Sequence, residues 1–556
     1  MLLSHKAPSH WLKKIYLLLL GCGSALLTIL PANAAEKIYF QYGPIIQSLQ
    51  VSSLKTFAET GVVPSDLKFY FNFLKADEQA QQKLRRLLNA RSKVNLVLLS
   101  RFLYTSVGED FLKQFGSYIR TQSGINGNYA LRAAILLSAS DPEGVSVLSL
   151  LHHYPTDLQI DIQSILSLLR AANIVFDATD FFSKAVAQLS ALEAQSELAT
   201  DFSAKADLRQ PGSFEVKQRR WQLRDEKRDR SFYVDIYQPQ RGQAKEIPII
   251  IISHGLASNP EDFAKRAQYL ASYGYVVAVP QHPGSDTIQA RNLVQGLSRE
   301  VFVNQEFIDR PLDISYVLDE LERRNQTEFA GQLNVQSVGV MGHSFGGYTA
   351  LALAGATIDF EHLQQSCNNN LEYLDISLFL QCQALKLPRK PYNFRDRRVT
   401  AVYALNPVNY SIFGATGLSQ IAIPILLEAG TYDPATPAIF EQVRSFNWLT
   451  TPNKYLALLE GQAHVNFSDL DAGFTKLLDS ISSLTLPHPA LLNDYSNALT
   501  LAFFEVSLLN NEVYRPYLQA TYTQYLSRDQ AFKVFLIGSQ SDEGLERSSE
   551  IFRSRL

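Results

Sequence analysis

The chain has 556 residues, enough for more than one domain. With 46% hydrophobic and 19% charged residues and a formal net charge of −3, its composition is that of a globular protein, without the positive excess that suits nucleic acid or an anionic membrane surface. Its 3 cysteines exclude a disulfide-stapled scaffold.

At the N-terminus, Lys13 and Lys14 precede an almost wholly apolar run over 15–30, and Pro31-Ala32-Asn33-Ala34-Ala35 supplies an A-x-A site. This pattern predicts a signal peptide over 1–34, cut after Ala34, and an exported, periplasmic or extracellular protein. One rival reading is a lipoprotein signal at Leu19-Leu20-Gly21-Cys22. Another is an uncleaved anchor, for which the run is short. The mature chain then keeps Cys367 and Cys382. In an oxidising compartment this close pair is a disulfide candidate; the rival is two free, buried thiols.

Residues 35–205 read as a helical accessory domain. Apolar residues recur at helical spacing over 66–88, with helices also expected over 95–119, 131–151, 158–172 and 180–195. His152-His153 has no cluster of further ligands around it at metal-binding spacing.

A polar stretch over 200–212, with Pro211-Gly212, marks a boundary. Residues 206–484 then read as the catalytic domain. Alternation over 214–217 and 231–237 predicts two antiparallel strands, with the charged run 224–230 as their loop. Continuous apolar strands alternate with helices thereafter. Strands are expected over 247–253, 275–279, 337–341, 399–405, 423–427 and 454–459. Helices are expected over 260–273, 299–323 (kinked or restarted at Pro311), 435–446 and 469–484. Runs buried on both faces and joined by helices mean a mostly parallel sheet with helices on both faces, the α/β-hydrolase architecture. Residues 355–398 form an insertion with the position of a lid and hold both remaining cysteines. Residues 485–556 read as a C-terminal helical extension.

The chemistry is written around Gly342-His343-Ser344-Phe345-Gly346. Strand, tight turn with a serine at its tip, then helix is the pattern of a nucleophile elbow. A serine hydroxyl needs a general base, and the base an orienting acid, in the chain order Ser, acid, His. After Ser344 the candidates for the base are His362, His464 and His488. His464 follows the strand over 454–459, in the loop where the base belongs. Asp433 follows the strand over 423–427 and is the expected acid, with Glu428 and Asp469 as weaker rivals; an Asp before Pro434 also makes a helix N-cap. The oxyanion donors are expected from the amides of Phe345 and Leu256, the latter in Ser253-His254-Gly255-Leu256. His254 and His343 read as packing and orienting residues. His282 either lines the pocket wall or makes a loop hydrogen bond.

Ser253-His254-Gly255-Leu256, the stretch over 269–279 and Gly342-His343-Ser344-Phe345-Gly346-Gly347 resemble the platelet-activating-factor acetylhydrolase and dienelactone-hydrolase branch of the α/β-hydrolases. The resemblance spans about 214–484, and the helical N-terminal region resembles that of exported bacterial, notably cyanobacterial, predicted hydrolases. It implies a carboxylic-ester hydrolase with Ser344 as nucleophile and Leu256 and Phe345 as the oxyanion pair. Two departures stand out. Where acetylhydrolases carry the acid, this chain has Asn406, and dienelactone hydrolases proper use a cysteine nucleophile. The expectation is an exported serine esterase or lipase-like enzyme that uses no metal or cofactor. Its partner is a small-molecule ester or lipid, not nucleic acid, with peripheral membrane or envelope association also open. The alternatives are a serine peptidase or polyester-type hydrolase on the same triad, or a catalytically inactive binding protein of this fold.

Overall fold

The computed structural model describes residues 34–240, 246–369, 372–464 and 486–554. The expected signal peptide with Cys22, the helix over 469–484 and the rival acid Asp469 lie outside them. The chain divides into two compact units, one of residues up to 100 with 111–166, the other of 101–110 with 167–556. The division therefore falls within a long helix, Ile162–Ser196, and not at 205 as the polar boundary suggests. No Pro or Gly interrupts that helix, so the two helices expected there run together.

The first unit is mostly helical but not all-helical. Strands β1 (Lys37–Tyr42) and β2 (Ile45–Gln50) form a hairpin across Gly43, which takes a left-handed φ of 57°. β3 (Ile119–Thr121) and β4 (Leu158–Asp161) complete a sheet of order β2-β1-β4-β3, with β4 parallel to β1. The helices are shorter than their periodicity predicts. The stretch over 66–88 breaks into Ser65–Phe73 and Glu78–Asn89, because Asp77 caps the second by accepting from the Ala80 amide. Ser146 and Ser149 form a capping box that starts Val147–His153 separately from Asn128–Ser140. Leu54, Phe57, Phe71, Leu88 and Ala134 form this unit's core.

The second unit is built on nine strands: β5 (Val216–Asp225), β6 (Arg230–Pro239), β7 (Ile247–Ser253), β8 (Val276–Pro280), β9 (Leu333–His343), β10 (Val399–Leu405), β11 (Ile425–Gly430), β12 (Lys454–Leu459) and β13 (Val534–Gly538). Their order is β13-β12-β11-β10-β9-β7-β8-β6-β5. β8, β7, β9, β10, β11 and β12 are parallel, and β5, β6 and β13 pair antiparallel at the edges. Ile249 and Ile251 of β7 face one buried layer and Ile250 and Ile252 the other, which is why this strand reads as an unbroken apolar run.

Three expectations are corrected here. The charged run is not the β5–β6 loop: Arg224 and Asp225 end β5 and Arg230 opens β6, so only the turn between them is loop. The C-terminal extension is not purely helical, since β13 adds to the sheet edge beside β12. Glu193 of the long helix holds it there by accepting from the Gly538 amide. The helix expected from 435 begins at Ile439, in π form. The insertion over 355–398 packs Leu363, Leu380 and Ala384 into the main core and carries a Cys367–Cys382 disulfide.

Helix Glu306–Glu328 contains Pro311 and remains one helix. Proline removes the amide that would bond the carbonyl four residues back, that of Phe307. That carbonyl instead accepts from the hydroxyl of Tyr348 at 2.8 Å, on the helix Phe345–Ala354 that follows the serine. Tyr348→Phe leaves the buried carbonyl without a donor and is expected to lower stability by about 1–3 kcal/mol. Adding Pro311→Ala, which restores an amide to the helix, is expected to recover part of that loss. Urea unfolding of the two single variants and the double variant measures it, and simple additivity would refute the coupling.

Candidate active site

Ser344 ends the turn between β9 and the helix Phe345–Ala354, with φ 56° and ψ −117°. A side chain rarely adopts this conformation, and here the surrounding backbone enforces it. A Cβ on Gly342 would stand 2.0 Å from the Gly346 carbonyl oxygen, and one on Gly346 would stand 2.0 Å from that of Ser253. Both glycines are thus required by close backbone approach.

The serine is brought to the two residues the chain order predicts. Ser344 Oγ lies 2.8 Å from His464 Nε2, and His464 Nδ1 lies 2.7 Å from Asp433 Oδ2. With Nδ1–H donated to the carboxylate, Nε2 presents its lone pair to the serine hydroxyl. The other oxygen of Asp433 accepts from the amides of Ala435 and Thr436, each at 2.9 Å. One carboxylate therefore does both things that its place before Pro434 suggests: it gathers amides as a cap does and faces the histidine. The Thr436 hydroxyl donates to Asp433 Oδ2 at 2.7 Å and lies 3.2 Å from His464 Nδ1. Sequence reasoning missed Thr436. Its signal was a hydroxyl residue three positions after the acid, within reach of an Asp side chain.

The rivals stand elsewhere. Glu428 accepts from Gln462 and Ser496 and bonds Tyr403. His362 packs edge-on against Tyr410 and Trp448, and His488 caps the helix Pro489–Ser507. Asn406 takes the Gly430 amide on its oxygen and donates to the Ala463 carbonyl, tying the end of β10 to the loops that carry Asp433 and His464.

On the other side of the serine, Gly255 sits so close that a Cβ there would be 3.4 Å from that of Ser344 and 3.0 Å from His343 Nδ1. Among the described residues, no hydrogen bond uses the amide of Leu256 or Phe345. For Phe345 this follows from its place at the start of a helix, where amides have no acceptor a turn back. Two donors thus remain available beside Ser344. His282 does not line a pocket wall. It is fully buried, between Ser253 Oγ and Asp313 Oδ2 at 3.0 Å each, so of its two readings the loop hydrogen bond holds. Among the described residues, no group of three or more His, Cys, Asp or Glu is arranged to hold a metal ion. Of the His152-His153 pair, His153 bonds Asp141.

His343 donates from Nε2 to the His464 carbonyl at 2.8 Å, holding the loop that carries the base. Burial, then the neighbouring His464, push its pKa down to about 3, so it stays neutral. Burial likewise drives His254 and His282 well below the ordinary histidine value.

Two family models match the chain. The model described as alpha/beta hydrolase of unknown function (DUF1400) matches residues 34–161. The model for chlorophyllase matches residues 205–368, a stretch that includes Leu256, Ser344 and Phe345. The chain belongs to the α/β-hydrolase superfamily, as its sheet and both matches agree. The nine-stranded sheet and the serine turn lie in the second unit, while the first match, apart from 101–110, falls on the smaller four-stranded unit. No curated protein matches the chain.

A neutral buried histidine has a measurable signature. His343 is uncharged when folded but takes a proton below about 6.5 once unfolded, so it withdraws stability as the pH falls from 6.5 towards 3 and withdraws none above. Between pH 7.5 and 5 this amounts to about 2 kcal/mol. The stability difference between wild type and His343→Phe is expected to shift by that amount in favour of the variant over this range. Denaturant titrations at the two pH values check it, and a pH-independent difference would contradict it.

Proposed function

We propose that the chain is a serine hydrolase acting on carboxylic esters. The observation that carries this reading is the continuous line Asp433–His464–Ser344 beside the two unbonded amides of Leu256 and Phe345. His464 Nε2 takes the hydroxyl proton as Ser344 Oγ attacks the ester carbonyl. The carbonyl electron pair moves onto oxygen, where the Leu256 and Phe345 amides stabilise the negative charge. The carbonyl re-forms, the alkoxide leaves with the proton from His464, and an acyl-serine remains. Water then attacks that carbonyl as His464 takes its proton. Collapse returns the proton to Ser344 and releases the acid. Asp433 keeps the tautomer that leaves Nε2 unprotonated and stabilises the imidazolium that forms twice per cycle. The likeness to chlorophyllase supports a hydrolase of this kind, as do the motifs shared with the acetylhydrolase branch.

On p-nitrophenyl butyrate, Ser344→Ala is expected to lower turnover by about four orders of magnitude or more while leaving the fold intact. Asp433→Asn is expected to lower it by about 10²–10⁴. Asn406→Ala, which removes no member of the line, is expected to cost far less. Turnover that survives in Ser344→Ala rejects the mechanism, and an Asn406 effect larger than that of Asp433 rejects the choice of acid. Running chlorophyll and an anilide beside the ester separates substrate classes, since a peptidase would favour the anilide.

We further propose that the protein is exported. The basic, apolar and A-x-A segments over 13–35 support this, and the Cys367–Cys382 bridge is in keeping with an oxidising compartment. N-terminal sequencing of protein recovered outside the cytoplasm is expected to begin at Ala35. A retained leader, or a start at a lipid-modified Cys22, would overturn this.

A further inference from the structure

Beneath the loop that carries Leu256 lies an arginine that takes no direct part in the steps above. Arg310, on the helix Glu306–Glu328, is fully buried. Its Nη1 donates to the carbonyl of His254 at 2.7 Å, its Nη2 to that of Gly255 at 3.2 Å, and its Nε to Ser285 Oγ at 2.9 Å. Its face lies on the Phe345 ring, 4.5 Å from the centroid. The nearest carboxylate oxygen, of Glu306, is 3.8 Å away. The close hydrogen bonds of this cation therefore go to two backbone carbonyls and a hydroxyl, not to an acid.

Burying a guanidinium carries a large desolvation cost, and an apolar side chain of the same volume often stabilises a core as well or better. Stability alone gives no reason for an arginine here. The geometry of the peptide does. No described peptide bond is cis, so the Gly255 carbonyl and the Leu256 amide, which share one planar unit, point in opposite directions. Pulling that carbonyl down onto the guanidinium turns the Leu256 amide up and away from it. The carbonyl of His254 is drawn the same way, which orients the Gly255 amide. Both ends of the loop are pinned as well. Ser253 Oγ meets His282, itself held by Asp313, and the Ala257 amide donates to the carbonyl of Ser285, the residue whose hydroxyl Arg310 holds. Ala257 has a left-handed φ of 56°, a conformation the loop keeps only because its surroundings impose it.

We infer that Arg310 is a positioning residue for the oxyanion site: by holding the carbonyls of His254 and Gly255 from below, it keeps the Leu256 amide aimed at the space above Ser344. The inference rests on the serine-hydrolase reading and extends it by one residue that touches no substrate.

The test follows Ser344 labelling by a fluorophosphonate in the full chain. That reaction develops charge on the phosphoryl oxygen whatever the natural substrate is. In Arg310→Met the inactivation step is expected to slow by about 100-fold, the scale of losing one oxyanion donor, with reversible binding of the probe nearly unchanged. Arg310→Lys, which cannot hold two carbonyls, is expected to fall in between. Arg228→Met removes a half-buried arginine that bonds Asp225, Asp309 and Asp313 but no carbonyl of the loop. It is expected to lower the melting temperature yet label at the wild-type rate. If Arg310→Met does not fold, Ser285→Ala, which frees the Nε of Arg310, decides the matter with an expected slowing of about tenfold. Equal labelling rates in wild type and the folded Arg310 or Ser285 variant overturn the inference while leaving the hydrolase reading intact. So does an equal loss in Arg228→Met. Absence of labelling at Ser344 in wild type overturns both.

Discussion

The backbone of Gly346 lies so close to the end of β7 that a methyl group there would sit 2.0 Å from the Ser253 carbonyl oxygen. That approach joins the two loops on which the chemistry depends. β7 and β9 are parallel neighbours, with Ser253 opposite Gly342, so both strands run out at the same edge of the sheet. One continues into the turn that lifts Ser344, the other into the loop that carries Leu256. In a parallel sheet all such ends collect on one side, and β11 and β12 deliver Asp433 and His464 to it in the same way. The strained backbone of Ser344 is the local consequence of this convergence.

What lies beneath those loops is polar and buried. His254, His282 and His343 are buried, and burial holds all three neutral. Each has a defined partner: His254 bonds the Gly255 carbonyl, His282 links Ser253 to Asp313, and His343 bonds the carbonyl of the base itself. Buried polar groups stabilise only when their partners are in place, so such a network favours one loop geometry over near alternatives. The histidines and Arg310 act on the backbone that presents the reacting groups. Removing a donor from below is therefore a matter of orientation more than of charge.

The parts of the second unit added around the hydrolase sheet are tied in by specific side chains. Glu441 accepts from Ser377 of the insertion and from the amides of Asn409 and Tyr410 at the start of the helix Tyr410–Leu418. The C-terminal strand β13 is secured through Glu193, which gathers the Gly538 amide and the side chains of Gln540 and Ser541. Apolar packing alone would allow these segments to slide. Buried carboxylates with several donors set their register.

The line Asp433–His464–Ser344 was legible in the amino-acid sequence because its determinants are local. Strands buried on both faces are continuous apolar runs, as 454–459 shows, and a serine between two glycines marks a turn by itself. With only His362, His464 and His488 after that serine, chain order left few assignments for the base. The rest depended on partners distant in the chain. β1 pairs with β4 across more than a hundred residues, and β13 joins β12 from the far end, so neither short strand stands out from its own composition. Pro311 could be read as a kink, but not as an unbroken helix whose freed carbonyl is taken by Tyr348. His282 could be placed near the site, but whether it faced a pocket or Asp313 depended on a helix that follows it. The sequence by itself determined which side chains form the line Ser344–His464–Asp433, because residue type and order limit them. Only the tertiary structure decided what orients those side chains, because a hydrogen bond to a backbone carbonyl leaves no mark on the residue that supplies it.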